Sequence, residues 1–125
     1  MTNGLMLCDD LIFFSRVAAT ARAAGLAVKQ ARTAGALLVL ARQEPPGGVI
    51  LDLHADGLDV PALLAGLREA CPVMPTTVAF GSHVEAETLR AAREAGCTRV
   101  LPRSKFVQEL ETELGKWLTP ESPGD

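Results

Sequence analysis

Hydrophobic and polar positions along the chain fall into two alternating rhythms. Short apolar runs of strand length occur at Leu5 to Cys8, Val49 to Leu53 and Thr98 to Pro102. A weaker run spans Leu26 to Gln30, and another lies within Val73 to Phe80, where Pro75 delays its start. Between them the apolar residues recur at three and four. Leu11, Phe14, Val17, Ala18 and Ala21 predict a helix from Leu11 to Ala24, with Gly25 as its stop. Thr33 caps a predicted helix over Ala34 to Arg42, which the turn Pro45-Pro46-Gly47-Gly48 ends. Asp59 caps a third over Val60 to Ala70, with Pro61 in its first turn. Val84 to Ala95 is amphipathic and closes at Gly96, and Ser104 is the predicted cap of a last helix from Lys105 to Leu118.

Five strand–helix units in series predict a parallel sheet covered on both faces, because each right-handed crossover lays its helix on the sheet. Five units are too few for an eight-fold barrel. The expectation is an α/β doubly wound five-stranded parallel sheet, order 2-1-3-4-5, with five helices in a three-layer sandwich. One domain is expected over residues 1–118, with 119–125 a frayed tail that has no core-forming residues.

Composition narrows the function. The chain has 125 residues, 48% hydrophobic and 22% charged, which suits one core. A net charge of −3 gives no basic field, so nucleic acid is not an expected partner. No apolar run approaches the ~20 residues a bilayer span needs, and no basic segment precedes an apolar one, so the expected place is the cytoplasm, away from any membrane. Cys8, Cys71 and Cys97 are too widely spaced for a metal knuckle and are read as buried free thiols. His54 and His83 fall in loops without enough companions for zinc. Gly47-Gly48 precedes a strand, so it is no phosphate-cradling loop, and no nucleophile elbow is present.

The chemistry concentrates on acids. Asp52 interrupts an apolar strand, a position where a carboxylate needs a partner. In the order 2-1-3-4-5 the first and third strands are neighbours, so Asp9 and Asp10 at the end of one should meet Asp52 at the end of the other. Three anions so placed repel one another and call for a cation; hard oxygen ligands suit Mg2+.

On these residues the chain resembles the receiver domain of two-component response regulators, over nearly its whole length. LMLCDD is similar to the family's apolar strand closed by an acid pair, LDLHADGLD to its LDLMMPGMDG loop, and EAGCTRVLPRSKF to its AGADDYLVKPF segment. The resemblance implies that Asp52 is the phosphoacceptor. It also implies that Asp10, supported by Asp9, holds Mg2+ beside Asp52, with the backbone carbonyl of His54 as a further ligand. Several positions depart from the family. Gly81 falls where the family has a hydroxyl at the end of strand four, with Ser82 next to it. Arg103, followed by Ser104, stands for the family lysine, a planar fork in place of a compact ammonium. Val100 replaces the switch aromatic, and Asp56 replaces the turn proline. The FGSHV loop and the RS pair resemble those of divergent receiver-like proteins.

The expected function is a single-domain receiver in a phosphorelay, with output through protein–protein contact. Its partners would be a histidine kinase or phosphotransfer protein, or another signalling protein, and the chain a monomer or weak homodimer. It is not expected to be an enzyme beyond self-phosphorylation from a phosphodonor. The alternative is a pseudo-receiver, an interaction module that signals without phosphorylation. A flavin-binding protein or small enzyme on the same sheet is a third reading. Leu110, Leu114, Trp117 and Leu118 form a stripe read as core, whereas Glu85, Glu87, Arg90, Arg93 and Glu94 are read as a solvated face.

Overall fold

A computed structural model describes residues 3–120. Its elements are β1 (Gly4–Leu7), α1 (Leu11–Ala23), β2 (Val28–Ala31), α2 (Ala34–Gln43) and β3 (Gly48–Asp52). They continue with α3 (Val60–Ala70), β4 (Thr76–Gly81), α4 (Ala86–Ala95), β5 (Arg99–Pro102) and α5 (Arg103–Trp117). The strands form one parallel sheet in the order β2-β1-β3-β4-β5, with five helices, as the alternation predicts. The expected frayed tail falls mainly on 121–125, which lie outside the described residues.

Strand alternation sorts the core into two halves. Leu5, Leu7, Val49, Leu51, Ala79 and Val100 face one side, where Leu37, Leu63, Leu64, Leu67 and Leu89 of α2, α3 and α4 cover them. Met6, Cys8, Ile50, Val78, Phe80 and Leu101 face the other, under Phe13 and Val17 of α1 and Phe106, Leu110, Leu114 and Trp117 of α5. Each of the larger side chains among them contributes about 1.5–3 kcal/mol of burial free energy, the term that holds the three layers together.

The helices start where short polar side chains satisfy free amides. The Thr33 hydroxyl accepts from the Ala36 N–H and the Asp59 carboxylate from the Ala62 N–H, as the sequence predicts. Gly96 ends α4 in the left-handed region at φ 110, which a side chain would strain.

Three local expectations need correction. The buried stripe of α1 is Phe13, Val17 and Ala21, while Leu11 is 55% exposed. Asp10 caps the helix, and the resulting phase turns residue 13 rather than 11 toward the sheet. Ser104 does not cap α5: the helix starts at Arg103 with Pro102 at the cap position and no side-chain hydrogen bond. Proline's fixed φ sets the entry instead. Val84 lies outside α4, which starts at Ala86.

The lower edge of the sheet, where the strands begin, closes on the end of α5. A Cβ at Gly48 would overlap the Trp117 carbonyl and the Leu118 backbone, so β3 can start there only as glycine. Thr76 donates its hydroxyl to the Thr119 carbonyl. Thr77 and Thr98 continue the β4–β5 ladder through side chains: each backbone N–H donates to the other's hydroxyl, at 3.0 and 3.1 Å.

Candidate functional site

At the upper edge, Asp52 is the last residue of β3 and half-buried. Its Oδ1 accepts the His54 backbone N–H at 2.9 Å, which fixes the carboxylate plane and leaves Oδ2 facing β1. Leu7 pairs with Leu51, so Cys8 comes level with Asp52 and on the same face. Cys8 Sγ stands 3.9 Å from Asp52 Oδ2 and 3.5 Å from the Asp10 carbonyl. Burial, with the Asp52 and Asp10 charges adding, holds this thiol above its usual range, against a lowering by its hydrogen bond to Asp10 and by Arg103. The side chain that β1 presents to Asp52 is therefore a neutral thiol.

The acid pair follows one and two residues later. Asp10 Oδ1 accepts the Phe13 N–H at 3.0 Å as the N-cap of α1, and its Oδ2 lies 3.8 Å from Arg103 Nη2. Asp9 is exposed and its side chain has no hydrogen-bond or ion-pair partner among the described residues. The three acids do not make the expected three-carboxylate cluster: among the described residues no group of three or more His, Cys, Asp or Glu is placed to hold a metal ion. The reason is the register. Leu7↔Leu51 puts the cysteine, not an acid, opposite Asp52, and the helix start takes one oxygen of Asp10. The donor chemistry still suits a hard cation, which needs only one or two carboxylates and keeps several waters. Asp10 and Asp52 each retain an oxygen without a backbone N–H, and the His54 carbonyl follows.

Strand alternation also decides which residue of β4 faces Asp52. Asp52 pairs with Phe80, so these two side chains share a face. Gly81 faces the other half of the core, where a Cβ would touch Leu53 and Leu89. The β4 side chain on the Asp52 face is thus the buried ring of Phe80. Ser82 returns to the Asp52 side, but its hydroxyl accepts the Val84 N–H at 3.3 Å. A small cavity at this edge is lined by Asp52, His54, Phe80, Gly81, Ser82, His83, Arg103 and Ser104. Larger grooves lie elsewhere, including one beside Trp117; this small cavity is lined by Asp52 and not by Asp9 or Asp10.

Arg103 stands over the Phe13 ring, its guanidinium carbon 4.1 Å from the centroid. Behind it Phe13 packs on Phe80 (5.3 Å between centroids), Phe80 on Phe106 (4.6 Å) and Phe106 on Trp117 (5.1 Å). The two loops of the edge are tied by His54 Nε2 and Glu85 Oε1 at 2.9 Å. That contact occupies the Glu85 carboxylate, and α4 has no side-chain cap. The sequence singled out neither Phe13 nor Phe80. Counting in twos along β3 and β4 from Asp52 would have reached Phe80 only with the inter-strand register in hand.

No family model and no curated protein matches the chain. Solved structures do. The receiver domain of NtrX from Brucella abortus is 24% identical, covering 92% of this chain and 97% of that one at a TM-score of 0.76. A putative response regulator from Chloroflexus aurantiacus is 23% identical, covering 92% and 95% at 0.75. A response regulator from Burkholderia pseudomallei, solved with a phosphorylated aspartic acid, a calcium ion and citrate, is 22% identical and covers 93% and 70% at 0.71. Among the described residues no helix is long and apolar enough to cross a membrane. Over 92% of its length the chain has the fold of response-regulator receiver domains.

Proposed function

We propose that this chain is a receiver-like signalling domain, one domain over residues 1–118, in which Asp52 accepts a phosphoryl group from a phosphohistidine or small phosphodonor. The observation that carries this is Asp52 itself. It is a half-buried carboxylate at the carboxyl end of the central strand, with Oδ1 held by the His54 amide and Oδ2 beside the Cys8 thiol, and it lines a small cavity. A fixed nucleophile suits phosphoryl transfer, which depends on positioning and charge neutralisation more than on covalent chemistry by the protein. Asp52 Oδ2 forms the new bond to phosphorus as the bond to the donor's imidazole nitrogen breaks, and the nitrogen leaves with its electron pair. Mg2+ held by Asp10, Asp52 and the His54 carbonyl would offset charge on the transferring group. The calcium ion and phosphorylated aspartic acid of the Burkholderia pseudomallei protein support that chemistry for a receiver fold. The partner would be a histidine kinase or phosphotransfer protein in the cytoplasm.

Incubation with acetyl phosphate and Mg2+, followed by intact mass, tests this. One added phosphoryl group, absent in Asp52→Asn, is the expected outcome; an unmodified wild-type chain overturns it. One observation favours the pseudo-receiver reading: Gly81, where the family has a hydroxyl, offers no side chain, and the β4 side chain on the Asp52 face is the buried Phe80 ring. Under that reading the chain stays unmodified and still binds its signalling partner.

A further inference from the structure

Asp10 has two oxygens, and the fold assigns them separately. Oδ1 takes the Phe13 N–H at 3.0 Å, which fixes the carboxylate as the cap of α1. Oδ2 takes no backbone N–H, and 3.8 Å from it stands Arg103 Nη2. Among the described residues Arg103 is the one cation within 4 Å of either Asp10 or Asp52. It is held there from a second direction, because its guanidinium rests on the Phe13 ring. Phe13 therefore grips both members of the pair: its amide holds the acid and its ring holds the base. The ring contact thus leaves a guanidinium nitrogen 3.8 Å from the oxygen that a hard cation would need.

The geometry points to Arg103 as an internal counter-ion that competes with a divalent cation for Asp10 Oδ2. Cation binding and the Arg103–Asp10 contact are then mutually exclusive, and loading the site frees Arg103 from the acid. This deepens the reading of the edge as a metal-assisted phosphoacceptor site and rests on it only for Asp10. A half-exposed ion pair and a cation–π contact are each modest, so the competition weakens cation binding by about tenfold rather than abolishing it.

Mn2+ titration of the full chain, read by water-proton relaxation or calorimetry, tests the competition without reference to phosphorylation. Arg103→Ala should bind Mn2+ about tenfold more tightly than wild type. Arg103→Lys, which keeps the charge without the planar stack, should fall between. Phe13→Leu, which keeps the capping amide and removes the ring, should also tighten binding. Asp10→Asn should weaken binding in both the wild-type and Arg103→Ala backgrounds. Equal or weaker Mn2+ binding by Arg103→Ala, with its circular dichroism unchanged, overturns the proposal. So does binding that Asp10→Asn leaves untouched, or no binding by any variant at millimolar Mn2+. Failure of the phosphoacceptor reading shows separately, as an unmodified Asp52 in a chain whose Arg103→Ala form still gains Mn2+ affinity.

Discussion

At residue 80 the chain sets a phenyl ring on the face from which Asp52 projects, and that ring is core as well as site wall. Phe80→Thr would place a hydroxyl on the Asp52 face while removing contacts to Phe13 and Phe106. We expect it to cost about 3 kcal/mol in urea unfolding, the size of a large-to-small change in a packed interior. Cys97 gives a second test at this scale. Burial pushes its thiol up to about 11 from the ordinary 9.0. Alkylation of the folded chain at mildly alkaline pH should therefore be slow at Cys97, with on the order of 100-fold less thiolate than a free cysteine. In this window the folded chain retains a proton that the unfolded chain releases. Its contribution to stability is thus complete below pH 9 and is lost as pH rises toward 11; Cys97→Ala should remove that part of the alkaline decline in the urea midpoint. Asp52 and the acid pair were legible in the sequence because strand ends are local features. The neighbours that define their chemistry, Cys8, Phe80 and the Phe13–Arg103 stack, were not. Each depends on which residue of one strand lies level with which residue of another, and a one-residue change in that pairing exchanges faces.

Elements carry the contrast between glycines that are needed and glycines that are not. Gly48→Ala drives a methyl into the Trp117 carbonyl, which belongs to backbone and cannot turn aside. It should destabilise by about 2 kcal/mol or more, or prevent folding. Gly35, inside α2 with nothing near its missing Cβ, should accept alanine with a gain of roughly 0.5–1 kcal/mol. Thermal or urea unfolding of the two variants side by side separates these outcomes. Helix starts were readable where a side chain does the capping, at Thr33 and Asp59. The start of α5 was misread because Ser104 looks like a cap, while Pro102 two residues earlier already sets the helical entry. The stripe of α1 was read in part: Val17 and Ala21 are buried as expected, but Phe13 takes the place given to Leu11 and Phe14, a choice that only the sheet makes.

For the molecule as a whole, alternation and crossover handedness predict the parallel sheet, and the expected order 2-1-3-4-5 located the acid edge before any coordinates. What the order could not supply is the connection between that edge and the opposite end. Arg103, Phe13, Phe80, Phe106 and Trp117 touch in succession from one to the other. The chain has one tryptophan and no tyrosine. All indole emission therefore originates at the closure between α5 and the start of β3, the far end from Asp52. A fluorescence change on adding a phosphodonor or Mn2+ would have to be relayed through three phenylalanine rings. The Phe106→Leu variant should silence such a signal while leaving events at the acids intact, so a single intrinsic fluorophore serves as a remote gauge of the carboxylate edge.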